Sequence, residues 1–304
     1  MGVRPGIALS TRRAVIIGSG GQDGSYLTDL LRRRDYHVVG VKHGDVDLTD
    51  VGEVTALLHD AAPSELYNLA SPSFVPRSWD HPLEMVEIGV TAVTALLEAV
   101  REVNAGIRFV HASSADVFGM PLETPQRETT PFRPRSPYGA AKAYGTFLVA
   151  AYRERYGLHV GSAILFNHES PRRRDEFAPA KVAHSVAAIA AGRQEELVLG
   201  DLGAKRDWGY APDYVNAMWL MLQQDEPDDY VIATGELHTL EELVELAFDH
   251  VGLDWRDHVR VDESLMRGQL YELVGDPSKA RAQLGWQPSV TFEELVALLV
   301  DAAA

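Results

Sequence analysis

Short apolar runs rich in β-branched residues recur through the first half of the chain, and between them lie stretches whose apolar positions repeat at helical spacing. The runs at Ala14–Gly18, His37–Lys42, Glu65–Ala70, Arg108–Ser113 and His159–Phe166 predict strands. The periodic stretches at about Gln22–Arg34, Thr49–Asp60, Leu83–Asn104 and Tyr138–Tyr156 predict helices. Each crossover is long enough for a strand–helix–strand unit, so the pattern is that of a parallel sheet wrapped by helices.

After Phe166 the alternation gives way to shorter elements rich in Arg, Asp and Pro. A helix near Tyr210–Gln224 and a strand at Tyr230–Thr234 then return to the main sheet. The tail carries two amphipathic helices, Thr239–Val251 and Phe292–Ala302, whose Leu and Val stripes read as core. No internal repeat interrupts this order. The expected fold is α/β: a Rossmann-type doubly wound parallel sheet with a smaller, partly discontinuous α/β substrate lobe. The dinucleotide-binding domain is expected over 12–166 plus about 210–235, and the substrate lobe over about 167–209 plus 236–304.

With 304 residues, 46% of them apolar, the chain can bury the large core such a fold needs. A formal net charge of -16 would repel a phosphate backbone, so no nucleic-acid partner is expected, and an anionic ligand must meet local positive charge. Lys42, the Arg172–Arg174 cluster and the Lys205–Arg206 pair supply it. There is no cysteine, which excludes thiolate chemistry and Cys-built metal sites, and no metal is expected. No apolar run reaches the roughly 18 residues of a membrane span, and the first thirteen residues lack the apolar stretch of a signal peptide. A cytoplasmic protein without membrane contact is the expectation.

The chemistry begins where the first predicted strand ends. Gly18-Ser19-Gly20-Gly21-Gln22-Asp23-Gly24 places glycines where a backbone turns tightly and approaches a pyrophosphate, and it opens a helix whose free N–H groups face the anion. At the end of the second strand a carboxylate would hold a ribose diol, whereas a cation would take a 2′-phosphate. The residues there are Val41, Lys42 and His43, which favour NADP, although Asp45 could still serve NAD.

Tyr138 and Lys142 stand one helical turn apart on one face, so the ammonium can stabilise a phenolate that takes a proton from a sugar hydroxyl. Ser113 and Ser114 close the fourth predicted strand, at the carboxyl edge where an α/β sheet presents chemistry. Ser114, Tyr138 and Lys142 together read as a hydride-transfer triad. Asp116, two residues past Ser114, shares that side of the chain if the backbone stays extended, and could then act as acid or base; a turn-capping role before Gly119 is the alternative.

With these residues assembled, nearly the whole chain from Ala14 to Leu299 resembles the GDP-mannose 4,6-dehydratases of the extended short-chain dehydrogenase/reductase family. The resemblance is carried by GQDGSYL at Gly21–Leu27, PRSPYGAAK at Pro134–Lys142, ILFNHESPRR at Ile164–Arg173, AKRDWG at Ala204–Gly209, and DYVNAMWLMLQQDEP with VIATGE within Asp213–Glu236. It implies catalytic roles for Ser114, Asp116, Tyr138 and Lys142. Cofactor contacts are implied for Gly18–Asp23, Asp47, Leu48, Leu69, Ala70, Ser71, Ser73, His168 and Arg173, with Lys42 added from the strand-end argument. Asn167, Lys181, Arg206 and, one place from the family's arginine, Arg267 are implied to hold a GDP-sugar together with Ser114. The implied reaction is C4 oxidation, loss of water across C5 and C6, and hydride return.

Ser114 stands where that family usually carries Thr, Asp116 where it carries Glu, and Phe74 where many members have His. The shorter carboxylate and the Ser-Ser-Ala opening keep a second expectation open, a GDP-sugar C4 oxidoreductase or epimerase that uses the same Ser–Tyr–Lys machinery without dehydration. The family's Arg-rich loop after the second strand is absent. A homodimer built on the Leu83–Asn104 and Tyr138–Tyr156 helices is expected, and a tetramer is not.

Overall fold

The structure, a computed structural model, describes residues 12–265 and 272–304. Its main sheet is parallel, with β1 (Arg13–Ile17), β2 (His37–Val41), β3 (Glu65–Asn68), β4 (Arg108–Ala112), β5 (Val160–Leu165) and β10 (Tyr230–Ile232) in the order β10-β5-β4-β3-β1-β2. β3 and β5, inner parallel strands covered on both faces, are buried at every position, and so is the short edge strand β10. The short strands are β6 (Asn167–Glu169), β7 (Leu197–Leu199), β8 (Lys205–Arg206), β9 (Trp208–Tyr210), β11 (His238–Thr239) and β12 (Val259–Val261). They pair as β6 with β9, β8 with β11 and β7 with β12.

The α-helices are α1 (Gln22–Arg33), α2 (Val51–Ala61), α3 (Arg77–Asp80), α4 (Pro82–Val86), α5 (Ala92–Val103), α6 (Pro137–Tyr156), α7 (Ala178–Ala190), α8 (Ala211–Met221), α9 (Leu240–His250) and α10 (Phe292–Ala303). Local signals set several starts. Asp50 accepts the Gly52 and Glu53 N–H groups ahead of α2, Ser136 accepts the Gly139 N–H in α6, and Thr239 and Thr291 form capping boxes with Glu242 and Glu294.

The apolar residues gather on both sheet faces and in a third group outside it. One face packs Leu27, Leu31, Val215 and Met218 of α1 and α8, and the other packs Val54, Leu58, Leu96 and Val100 of α2 and α5. The third core joins α7, α9 and α10 through Val186, Leu243, Phe248, Leu295 and Leu299. Sheet order reverses at β1 and β3, and in open α/β sheets the crevice beyond the carboxyl ends of such strands is where ligands bind.

Two expectations change. The single helix expected over Leu83–Asn104 is α4 and α5 joined by a π-turn at Glu87–Thr91, a widened turn that packs against α6. β4 ends at Ala112, so Ser113 and Ser114 lie beyond it, and the chain curls into a 3₁₀ turn at Ala115–Val117 instead of staying extended.

Candidate active site

The loop after β1 is shaped by its own backbone. The N–H groups of Gly18 and Ser19 both donate to Val41 O, at 2.9 and 3.0 Å, and Gly21 N–H donates to Gly18 O. Gly18 has φ +86°, and a Cβ there would meet Leu69 and Ala70 backbone at 3.0 Å. At Gly24 a Cβ would overlap Gly18 O and stand 2.6 Å from Ser19 Cα, so only glycine lets α1 start this close to the loop. The cap at Gly21 offers no side-chain acceptor to the first N–H groups of α1, and Ser19 Oγ is buried without a hydrogen-bond partner among the described residues. Free donors at a helix N-terminus beside a glycine loop fit a dinucleotide pyrophosphate.

Lys42 follows β2, close enough that a Cβ on Gly20 would stand 3.6 Å from its Cγ. Asp45 turns back to accept the Lys42 N–H at 2.8 Å, and Asp47 accepts the N–H and hydroxyl of Thr49. Leu69 N–H donates to Ile17 O, which sets Leu69 and Ala70 against Gly18; Leu48 and Ala70 pack on the α2 face of the sheet, and Ser71 and Ser73 lie in the loop that leads to α3.

Across the crevice, β6 is stitched to the glycine loop. Gln22 Nε2 donates to His168 O at 3.1 Å, and Ser170 Oγ donates to Gln22 Oε1 at 2.8 Å. His168 Nε2 lies 3.0 Å from Asp23 Oδ2, and its ring stacks on Tyr214 at 4.5 Å. Burial disfavours the charge on each partner, but the mutual attraction outweighs it: Asp23 is held below, and His168 above, their ordinary values.

Arg173 lies in the loop after β6, its Nε 3.2 Å from Glu169 Oε2 and its guanidinium 3.5 Å over Phe177. Phe177 in turn meets Phe74 edge-on at 5.8 Å. Sequence reasoning missed Glu169 and Phe177. Glu169 sits in the HESPRR segment four residues before Arg173, and that spacing was the available signal.

Tyr138 and Lys142 lie in the first turns of α6, both buried. Lys142 Nζ donates to Ala112 O at 2.7 Å and sits 5.8 Å from the centre of the Tyr138 ring, so the ammonium is anchored on the end of β4. Burial pushes Lys142 down to about 8. Burial, and then the charge of Asp116, raise the Tyr138 phenol, while the Ser114 hydroxyl and Arg173 act in the opposite direction.

Ser114 Oγ accepts the Asp116 N–H and donates to Asp116 Oδ2, each at 3.2 Å. The carboxylate therefore comes back onto the serine through the 3₁₀ turn. Its pKa is raised by burial, against the pull of the Ser114 hydroxyl and the Arg206 charge. Ser114, Asp116, Tyr138, Lys142 and Arg206 thus belong to one electrostatic cluster.

The remaining expected sugar-nucleotide contacts are more dispersed. Asn167 opens β6, Arg206 closes β8 with Nη1 bonded to Lys205 O, and Lys181 in α7 donates to Val198 O at 2.7 Å, tying α7 to β7. Arg267 lies outside the described residues. No cluster of metal-ligating side chains occurs among the described residues.

The model of one family, described as GDP-mannose 4,6 dehydratase, matches residues 41–299 of this chain. The chain belongs to the GDP-mannose 4,6-dehydratase family. Among curated members of this family, GDP-mannose 4,6 dehydratase 1 of Arabidopsis thaliana is 43% identical over 320 residues, covering 95% of this chain and 88% of its own. The human GDP-mannose 4,6 dehydratase is 40% identical, covering 95% of this chain and 90% of its own. Solved structures repeat the fold. RMD from Pseudomonas aeruginosa, complexed with NADPH, superposes with a TM-score of 0.87 at 24% identity, over 96% of this chain and 99% of its own. A UDP-glucose 4-epimerase of Thermus thermophilus in complex with NAD gives 0.82 at 28% identity, over 96% and 98%.

Proposed function

We propose that this family member is an NADP-dependent GDP-mannose 4,6-dehydratase, converting a GDP-hexose to its 4-keto-6-deoxy form. The observation that carries the reading is the half-buried Asp116 carboxylate, joined at 3.2 Å to Ser114 beside the buried Tyr138 and Lys142. A C4 oxidoreductase or epimerase has no step for a second acid–base group at that position, and the family relationship does not favour that alternative.

The glycine loop, the start of α1, Leu69–Ala70, His168 and Arg173 would hold the dinucleotide, with Lys42 at the 2′-phosphate. A lysine at the end of β2, where a carboxylate would hold a ribose diol, supports NADP over NAD. Bound there, the cofactor would supply the hydride-accepting and hydride-returning chemistry that C4 oxidation and C6 reduction require. Tyr138 Oη accepts the C4 hydroxyl proton, with the Ser114 hydroxyl steadying the oxygen and the Lys142 charge favouring the phenolate. The new ketone acidifies the C5 hydrogen; Asp116 removes it and returns a proton to the departing C6 hydroxyl. Two protons leave the sugar, from O4 and C5, and two are taken up, by the water and by C5.

The test is incubation of the purified protein and NADP with GDP-mannose, followed by mass analysis. Loss of one water in the wild type, reduced on the order of a hundredfold or more in Asp116→Ala, is the expected result. GDP-mannose that binds yet keeps its mass would sink the dehydratase reading.

The same proposal includes a cytoplasmic homodimer. Ala140, Tyr144, Phe147 and Ala151 form an exposed stripe at helical spacing on α6, beside the exposed Leu83 and Val86 of α4. Two such faces related by a two-fold axis would cover one another. No helix among the described residues is long and apolar enough to cross a membrane.

A further inference from the structure

Asp207, between β8 and β9, is fully buried, and its two oxygens meet four donors. Oδ1 accepts the Thr234 N–H at 2.9 Å and the Thr234 hydroxyl at 2.7 Å; Oδ2 accepts the N–H of Gly235 at 3.0 Å and of Gly275 at 3.2 Å. Thr234 and Gly235 follow β10 of the main sheet, and Gly275 precedes the last helices of the small lobe. One carboxylate thus fastens together three pieces of chain that are distant in sequence. A buried acid is costly unless its lone pairs are filled, and a carboxylate offers about four such positions, all taken here.

Arg206 is the neighbouring residue. Along extended chain successive side chains point to opposite sides, so while Asp207 turns inward, Arg206 turns the other way, where its charge acts on Asp116. Its guanidinium bonds to Lys205 O, an atom of its own strand, so the aim of Arg206 follows the local backbone. That backbone is pinned by Asp207, one residue on.

We infer that Asp207 is a positioning residue for substrate: it fixes the strand so that Arg206 presents its charge to the diphosphate of a nucleoside-diphosphate sugar, without touching the sugar nucleotide itself. The inference rests on the proposed nucleotide-holding role of Arg206.

The experiment compares Asp207→Asn with wild type as full-length, NADP-loaded protein. An amide in place of the carboxylate sets a donor against donors and loosens the junction. The expected result is a KM for GDP-mannose and a calorimetric Kd for GDP alone that both rise about tenfold, with a smaller fall in kcat, because Arg206 also acts on Asp116, and NADP affinity unchanged. Thr234→Val, which keeps the shape and the N–H but removes one donor, should move both constants in the same direction by less. In an Arg206→Ala background Asp207→Asn should add nothing, because the effect runs through the missing guanidinium. Unchanged GDP affinity in both Asp207→Asn and Thr234→Val overturns the inference, as does an equal loss of NADP affinity, or a full further loss on top of Arg206→Ala. A wild-type protein that fails to bind GDP would instead overturn the functional reading on which the inference stands.

Discussion

Lys142 shows how one residue carries opposing demands. Its ammonium is buried and anchored on Ala112 O, and burial moves its pKa from 10.5 to about 8. The folded value lies below the unfolded one, so between about pH 8 and 10.5 the unfolded chain binds more protons, and this group's contribution to stability rises with pH. At neutral pH the charge is therefore held at a cost. Lys142→Met should melt at or above the wild-type temperature at pH 7 and lose that advantage as the pH is raised past 8, while kcat falls on the order of a hundredfold or more. Thermal melts at pH 7 and pH 9, paired with turnover, make the check. A variant that melts well below wild type at pH 7 would mean that the bond to Ala112 outweighs desolvation.

At the scale of elements, the approach of α1 to the β1 loop decides whether a cofactor can be held. Gly24→Ala would drive a methyl group into Gly18 O and Ser19 Cα, and neither backbone atom can retreat without opening the loop that bonds to Val41 O. Melting should fall by roughly 5 °C or more, and NADP affinity, read by fluorescence titration, by about tenfold or more. Unchanged affinity would show that the loop does not meet the dinucleotide. This element was legible in the sequence because its meaning is local: glycines directly after an apolar run, then helical periodicity. The same holds for Tyr138 and Lys142, four residues apart on one helix. The π-turn at Glu87–Thr91 was not legible, since its apolar spacing continues that of the flanking helices, and neither was α7, whose Ala and Val positions blur into the surrounding loops. Asp116 was expected on the Ser114 side of an extended chain; it is a 3₁₀ turn that brings the two together. Asp207 escaped because its partners are 27, 28 and 68 residues away. Nothing in the order of residues marks a carboxylate whose donors are assembled only by the fold.

At the scale of the molecule, a chain of formal charge -16 repels its own copies, so association needs a face that is apolar and locally uncharged. The α6 stripe of Ala140, Tyr144, Phe147 and Ala151 meets that condition: it carries no charge, Phe147 is 62% exposed, and Leu83 of α4, a helix that packs against α6, is 75% exposed. The stripe lies on the same helix as the buried Tyr138 and Lys142, so covering it would brace the helix that carries the proposed reacting groups. The wild type should sediment as a dimer of 33.4 kDa chains at micromolar concentration, more tightly at high salt, where the repulsion between two acidic subunits is screened. Phe147→Arg combined with Leu83→Arg would put like charges against each other across the two-fold axis. That variant should sediment as a monomer with an unchanged circular dichroism spectrum, because both side chains are exposed in the isolated chain. Its kcat should fall by about tenfold as α6 loses its brace. A variant that stays dimeric would place the interface elsewhere, and a monomer with full turnover would show that α6 holds its reacting groups unaided.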